Sequence, residues 1–299
     1  MTNRLLITII VGGLGLLLIG CYPLTLNRPK WAIKWDKELE AGKDAFMQAP
    51  AARQRAERPP NIVLIVADDL GKYEVSAYGV DHISTPHIDQ IGAEGVVFEE
   101  GYVTAPTCAP SRAGILTGRV QNRYGFETQI MEFYPTNMIE YLSGKYLVNT
   151  GEFVVEAKPE FTAEWQGIKQ GVPPTEMNLP EILTKRGYTT GLTGKWHLGV
   201  SKNHAPLERG FDYQYGFLGA STLYTPERNW SHVINYVHES FSTKYQWNTG
   251  RYGEAAILEN GKEMREEEYL TFAIRDKAID FIEQNQDQPF FLYCTFSAP

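Results

Sequence analysis

The chain opens on an uncharged apolar run from Leu5 to Gly20 and then turns polar as far as Pro60. Between Tyr22 and Pro60, Lys, Glu, Ala and Arg dominate, with Trp31 and Trp35 the main bulky residues; this predicts a polar tether over residues 21–60 carrying one helix. Asn61 to Ala67, NIVLIVA, is an unbroken run of leucine and β-branched residues. Such a run predicts a strand covered on both faces, as in a parallel sheet. STPHIDQIGAEG (84–95) predicts a helix with Ser84 or Thr85 as N-cap, Pro86 in the first turn and Gly95 as terminator. VVFEEGYV (96–103) predicts a strand, and Pro110 to Thr117 a short helix stopped by Gly118. NLPEILTKRG (178–187) predicts a helix closed at Gly187, followed by the strand YTTGLTG (188–194). Near the end, Ile274, Ala278, Phe281 and Ile282 mark one face of a helix, followed by the strand PFFLYCTF (289–296). Residues 128–179 are rich in Tyr, Phe, Glu and Gly without a clear period, and read as an insertion that shapes a substrate cleft. Strands alternating with helices predict an α/β fold: a large mixed, mostly parallel sheet sandwiched by helices.

Composition narrows the picture further. The 299 residues are 43% hydrophobic and 21% charged, enough for one large core. A formal net charge of -8 argues against a nucleic-acid partner, because polyanions need a basic surface. It leaves room for an anionic substrate in a locally positive pocket. The apolar run is short for a membrane span and suits an export signal over residues 1–20. It ends in Leu18-Ile19-Gly20-Cys21, which resembles the lipobox of bacterial lipoprotein signals, where cleavage leaves a lipid on the cysteine. That implies a bacterial lipoprotein exported to the periplasm or cell surface and held to the membrane through lipid on Cys21. Of the remaining cysteines, Cys294 lies in an apolar strand-like run and reads as a buried core residue, although a disulfide with Cys108 is open to an exported protein. Cys108, in a polar loop at a helix start, reads as placed for chemistry.

Three groups of residues carry that chemistry. Asp68-Asp69 directly follows the first strand, at the sheet edge where open α/β folds bind ligands. Alone such a pair is a solvated turn; after a buried strand, two carboxylates suit a hard divalent cation, Ca²⁺ or Mg²⁺. Gly194-Lys195-Trp196-His197-Leu198-Gly199 also follows a strand and gives a cation and a titratable imidazole the same side-chain parity. His82, His87, His204, His232 and His238 have no such setting and read as surface or core residues. Cys108 precedes Pro110, so the helix amides and dipole favour an anion beside it, and Arg112 adds positive charge. A cysteine nucleophile is a fair reading of these residues alone.

Cys108-Ala109-Pro110-Ser111-Arg112, with Leu116-Thr117-Gly118-Arg119 downstream, resembles the signature of the formylglycine-dependent sulfatases of the alkaline-phosphatase superfamily. NIVLIVADDLG (61–71), GKWHLG (194–199), RGFDYQYGF (209–217) and PFFLYCTFSAP (289–299) are similar to further blocks of that family, in the family's order. The resemblance implies an N-terminal catalytic domain over 61–299. It implies that Cys108 is oxidised after synthesis to an aldehyde, formylglycine, by a formylglycine-generating or anaerobic sulfatase-maturating enzyme. One hydroxyl of the hydrated aldehyde would attack the sulfur of a sulfate ester, and deprotonation of the second would expel sulfate. Asp68, Asp69 and the modified residue 108 would hold the metal. Arg112 would orient residue 108, Lys195 would hold sulfate oxygens, and His197, also touching substrate, would assist proton handling around the nucleophile. The implied partner is a sulfated small molecule or polysaccharide, a sulfated glycan best fitting a surface lipoprotein.

The family pattern continues past Ser297-Ala298-Pro299 with a histidine, an Asp-Asn pair and a second lysine, then a smaller C-terminal domain. The resemblance therefore implies a chain whose C-terminal part is missing, with half a metal site and weak catalysis by itself. Two other functions stay open on sequence: a phosphatase, phosphodiesterase or phosphonate hydrolase of the same superfamily, and an inactive surface protein that binds glycan.

Overall fold

The computed structural model describes residues 37–50, 58–127, 129–130, 171–200, 202–225, 251 and 255–299. The expected signal segment, Cys21, His232, His238 and residues 131–170 of the expected insertion lie outside the described residues.

Strand β1 is Ile62–Ala67, β2 Thr189–Lys195, β3 Tyr213–Phe217, β4 Leu258–Glu259, β5 Lys262–Glu263 and β6 Phe290–Phe296. Their order in the sheet is β1-β6-β2-β3-β4-β5. The first four in that order run parallel, and β4 and β5 close the far edge antiparallel. This is the mostly parallel mixed sheet expected, with the last strand in sequence inserted between β1 and β2. Register aligns Ala67 with Phe296, Gly194 with Thr295 and Lys195 with Phe217, so the carboxyl ends of β1, β6, β2 and β3 share one edge.

Helices cover both faces. Helix α1 is Lys37–Gln48, α2 Pro86–Glu94, α3 Cys108–Thr117, α4 Leu179–Lys185 and α5 Leu270–Gln284. The alternation of β6 divides the core. Phe291 and Tyr293 join Leu192, Ala109, Ala113 and Leu116 on one side, whereas Phe290, Leu292 and Cys294 meet Leu270, Ile274, Ala278 and Phe281 of α5 on the other. The face marked by Ile274, Ala278 and Phe281 is thus the buried one. Cys294 is buried in that core and both Cys108 and Cys294 carry free thiols, so the two are not joined. The helix expected within residues 21–60 is α1. Its Lys43 donates to Glu181 Oε1 at 2.6 Å and to the Pro174 carbonyl at 2.7 Å, and Lys185 of α4 donates back to the carbonyls of Phe46 and Ala49.

Two expectations fail for related reasons. Among the described residues β1 is covered on one face: Ile62, Leu64 and Val66 pack on the α3 side, while Val63 and Ile65 are 45% and 57% exposed. α5 lies chiefly over β6, β2 and β3. Residues 96–103 form no strand, and Val96, Phe98 and Tyr102 are 75%, 71% and 85% exposed. β-branched and aromatic residues favour a strand only where a ladder partner and a half-buried surface exist. Here the segment is tied instead by Lys72 donating to the Glu99 carbonyl and the Tyr78 hydroxyl donating to that of Phe98.

The shared edge is drawn tight by two glycines. Gly194 has φ +109° and a Cβ there would lie 1.9 Å from the Thr295 carbonyl oxygen; Gly216 has φ +131° and its Cβ would lie 2.0 Å from that of Gly194. Both obstacles are backbone, so no side-chain rotation relieves them. Gly194→Ala should therefore destabilise the fold by about 3 kcal/mol or more. Urea unfolding followed by circular dichroism checks this; a midpoint within error of the parent would contradict the tight edge.

Candidate active site at the carboxyl edge of the sheet

Asp68 leaves the end of β1 and is 9% exposed. Its Oδ2 lies 2.5 Å from Lys195 Nζ, and Arg112 Nη2 stands 3.7 Å from Oδ1. Both cations are themselves buried. Arg112 comes from α3 and Nη1 donates to the Lys195 carbonyl at 2.9 Å, an oxygen that also accepts from Thr295 Oγ1 at 2.6 Å. One carboxylate, one guanidinium and one ammonium thus fasten β1, α3, β2 and β6 at a single point. Asp69, next in the chain, is exposed with φ +59°, a left-handed conformation uncommon for a residue with a side chain and frequent at functional turns.

The backbone carries the β2 pairing beyond the strand: Trp196 N–H donates to the Phe217 carbonyl and His197 N–H to that of Leu218, each at 3.0 Å. Trp196 is buried, its Nε1–H donates to the His204 carbonyl at 2.9 Å, and its ring meets Phe211 edge-on at 5.8 Å. His197 also takes a left-handed φ of +59° and is 1% exposed. Burial, then the neighbouring charges of Lys195 and Arg112, push its pKa down to about 3. Its imidazole is therefore neutral at physiological pH, and an anion beside Lys195 and Arg112 would raise its basicity.

Cys108 is the first residue of α3, half-buried, one turn before Arg112 on the same helix. The N-cap Thr107 makes no side-chain cap bond. In its place Gln129 Oε1 accepts the Ala109 N–H at 3.1 Å, while its Nε2 donates to Cys108 Sγ at 3.0 Å. Sequence reasoning missed Gln129, as it did Thr295. Neither lies in a pattern that local periodicity reads.

A buried scaffold flanks the site. Arg209 donates to the carbonyls of Val172, Pro173 and Glu176, at 3.1, 3.2 and 2.7 Å, and holds the chain that enters α4. Asp212 Oδ2 accepts from Thr190 N–H at 2.9 Å and sets the start of β2. These account structurally for two polar residues of the RGFDYQYGF block. Of the other histidines in the described residues, His82 and His87 are exposed, and His204 is buried with its pKa lowered to about 4, chiefly by burial.

Asp68 and Asp69 offer hard carboxylate oxygens, the donor chemistry of Ca²⁺ or Mg²⁺, and Asp68 already attracts two cations. Among the described residues no group of three or more His, Cys, Asp or Glu gathers around one point, so the fit is that of two adjacent donors. Arg112 Nε and Nη2 are buried and make no hydrogen bond among the described residues, which leaves N–H groups for an incoming oxyanion.

Residues 60–299 match the family model for sulfatases. N-acetylgalactosamine-6-sulfatase of Rattus norvegicus is 35% identical over 248 residues, 81% of this chain and 40% of that protein. An arylsulfatase of Hemicentrotus pulcherrimus is 31% identical over 244 residues, 80% of this chain and 37% of that one. The solved structure of Ps i-CgsB in complex with k-i-k-neocarrahexaose aligns with a TM-score of 0.58 and 31% identity, covering 81% of this chain and 46% of that one. The chain thus spans about 40% of the length of the curated relatives it matches.

The two buried histidines, His197 and His204, set a pH dependence. Each has a folded pKa below the usual 6.5, at about 3 for His197 and about 4 for His204, so unfolding takes up protons between those values and 6.5. Their contribution to stability is complete above pH 6.5 and is lost progressively as pH falls toward 4. Lowering pH from 7 to 5 should cost on the order of 1 kcal/mol for each histidine. His204→Gln should flatten the dependence of the urea midpoint over that range; an unchanged slope would contradict a buried neutral imidazole at 204.

Proposed function

This chain belongs to the sulfatase family, and we propose that it hydrolyses sulfate esters at the Asp68–Arg112–Lys195 cluster, using a formylglycine made from Cys108. The observation that carries the reading is the convergence of distant sequence blocks. Arg112 of the C-x-P-S-R helix and Lys195 of GKWHLG meet on Asp68 of NIVLIVADDLG, at the carboxyl edge of the sheet.

The chain's own residues divide the work by position. Lys195 is a fixed, buried positive charge that holds sulfate oxygens, and Arg112, equally buried and one turn along α3 from residue 108, orients that residue; burial strengthens the pull of both charges on an anion. Cys108 lies at the positive end of α3, where developing negative charge is favoured. His197, neutral at physiological pH, accepts or returns a proton beside the ester without adding a third positive charge. When formed, the hydrated aldehyde supplies one hydroxyl as nucleophile and a second whose proton leaves as sulfate is released. Asp68, Asp69 and the modified residue 108 would hold a divalent cation, Ca²⁺ or Mg²⁺, which supplies charge neutralisation and polarisation.

We take the substrate to be a sulfated glycan or its oligosaccharides. Support comes from a relative named N-acetylgalactosamine-6-sulfatase and a neighbour solved in complex with k-i-k-neocarrahexaose. Maturation would require a formylglycine-generating or anaerobic maturating enzyme. Export as a lipoprotein anchored through Cys21 follows from the Leu18–Cys21 pattern, and no described helix is long and apolar enough to cross a membrane.

The deciding experiment expresses the protein in a host able to mature sulfatases and weighs the tryptic peptide that contains residue 108. An aldehyde mass is expected, together with hydrolysis of an aryl sulfate well above that of the matched aryl phosphate. Cys108→Ala should abolish turnover, and Lys195→Ala should lower kcat/KM by about 100-fold or more. An alkylatable thiol at 108 in that host overturns the formylglycine reading. An aldehyde with preferred phosphate cleavage would move the protein to the phosphoester hydrolases of the superfamily.

A further inference from the structure

Helix α3 has an unusual start. Thr107 closes the first helical bond with its carbonyl, accepting from Ser111 N–H at 3.1 Å, but offers no side-chain cap. Pro110 has no N–H, so the amide of Ala109 is the donor most in need of a partner. Gln129, distant in sequence, supplies it. Its carboxamide bridges the first turn, with Oε1 on Ala109 N–H and Nε2 on Cys108 Sγ. The two contacts fix the orientation of the amide, because rotating it by half a turn would set N–H against N–H and oxygen against sulfur. Phe126 and Ile130, 1% and 5% exposed, anchor the backbone on either side in the core beneath α3. A planar group carried on pinned backbone is well suited to holding a neighbour in one rotamer.

We propose that Gln129 is a positioning residue for residue 108: its Nε2–H holds one oxygen of the hydrated aldehyde, so that the other hydroxyl faces the sulfate. The inference rests on the formylglycine reading above. Replacing sulfur by oxygen turns a weak acceptor into a strong one, and the donor is already directed at that side chain. Hydration adds water across the aldehyde C=O to give two hydroxyls on one carbon, with no change of oxidation state. A donor that binds one of these oxygens favours the hydrate over the free aldehyde and removes the choice between two equivalent nucleophiles.

Gln129→Glu and Gln129→Leu separate positioning from helix capping. Glutamate keeps an oxygen for Ala109 N–H and loses the donor to residue 108; leucine loses both. The matured wild-type protein and both variants are compared by peptide mass, melting temperature, kcat and KM on an aryl sulfate, and rate of oxime formation with methoxyamine. The expected result is that both variants lower kcat by about 10- to 100-fold with KM little changed, and form oxime several-fold faster than wild type. Only Gln129→Leu should lower Tm, by about 2–4 °C. Loss of kcat in Gln129→Leu alone, tracking its Tm, would reduce the residue to a cap and overturn the proposal. Loss in Gln129→Glu alone would make it charge repulsion and also overturn it. Wild-type oxime rates in both variants count against it equally. A wild-type peptide that still carries a thiol overturns the formylglycine reading itself, a failure visible before any variant is compared.

Discussion

The buried carboxylate of Asp68 is the constraint on which the arrangement depends. It draws Lys195 Nζ to 2.5 Å and Arg112 to 3.7 Å, two cations that would otherwise be buried without a counter-charge. Taking such groups out of water is expensive, and their mutual attraction repays the expense only when geometry and further hydrogen bonds are good. Arg112 also binds the Lys195 carbonyl, which Thr295 shares, while its Nε and Nη2 make no further hydrogen bond among the described residues. The cluster is thus a structural knot and a charge reservoir at once. Two positive charges against one buried negative leave a local surplus of one positive charge that suits an anionic ligand inside a globally acidic chain.

The rest of the edge makes that knot possible. Gly194 and Gly216 let three strands approach at their ends where any Cβ would collide with a carbonyl. Ladder bonds continued through Trp196 and His197 keep the loop after β2 in the register of β3, and Trp196 plugs the core. His197 is thereby held in a left-handed turn, buried beside two cations, and its proton affinity falls as a consequence of position.

Much of this was readable along the chain. NIVLIVA, YTTGLTG and PFFLYCTF announced strands, and Asp68, Lys195 and His197 followed the first two at the edge where ligands bind. Cys108 and Arg112 could be paired from helical spacing alone. Failures came where a property depends on a neighbour. Val63 and Ile65 look like core and are about half-exposed, since α5 lies chiefly over β6, β2 and β3; residues 96–103 have strand composition and, among the described residues, no strand beside them.

The amino-acid sequence by itself determined the alternation of elements, the placement of charged residues after strands, and the membership that its ordered motifs declare. Only the tertiary structure decided that β6 lies between β1 and β2, that Lys195 and Arg112 share one carboxylate, and that Gln129 braces the first turn of α3. Local patterning encodes which face of an element is apolar, since that depends on the period of one segment. Which partners meet across the fold depends on how whole elements pack, and no window of neighbouring residues contains that choice.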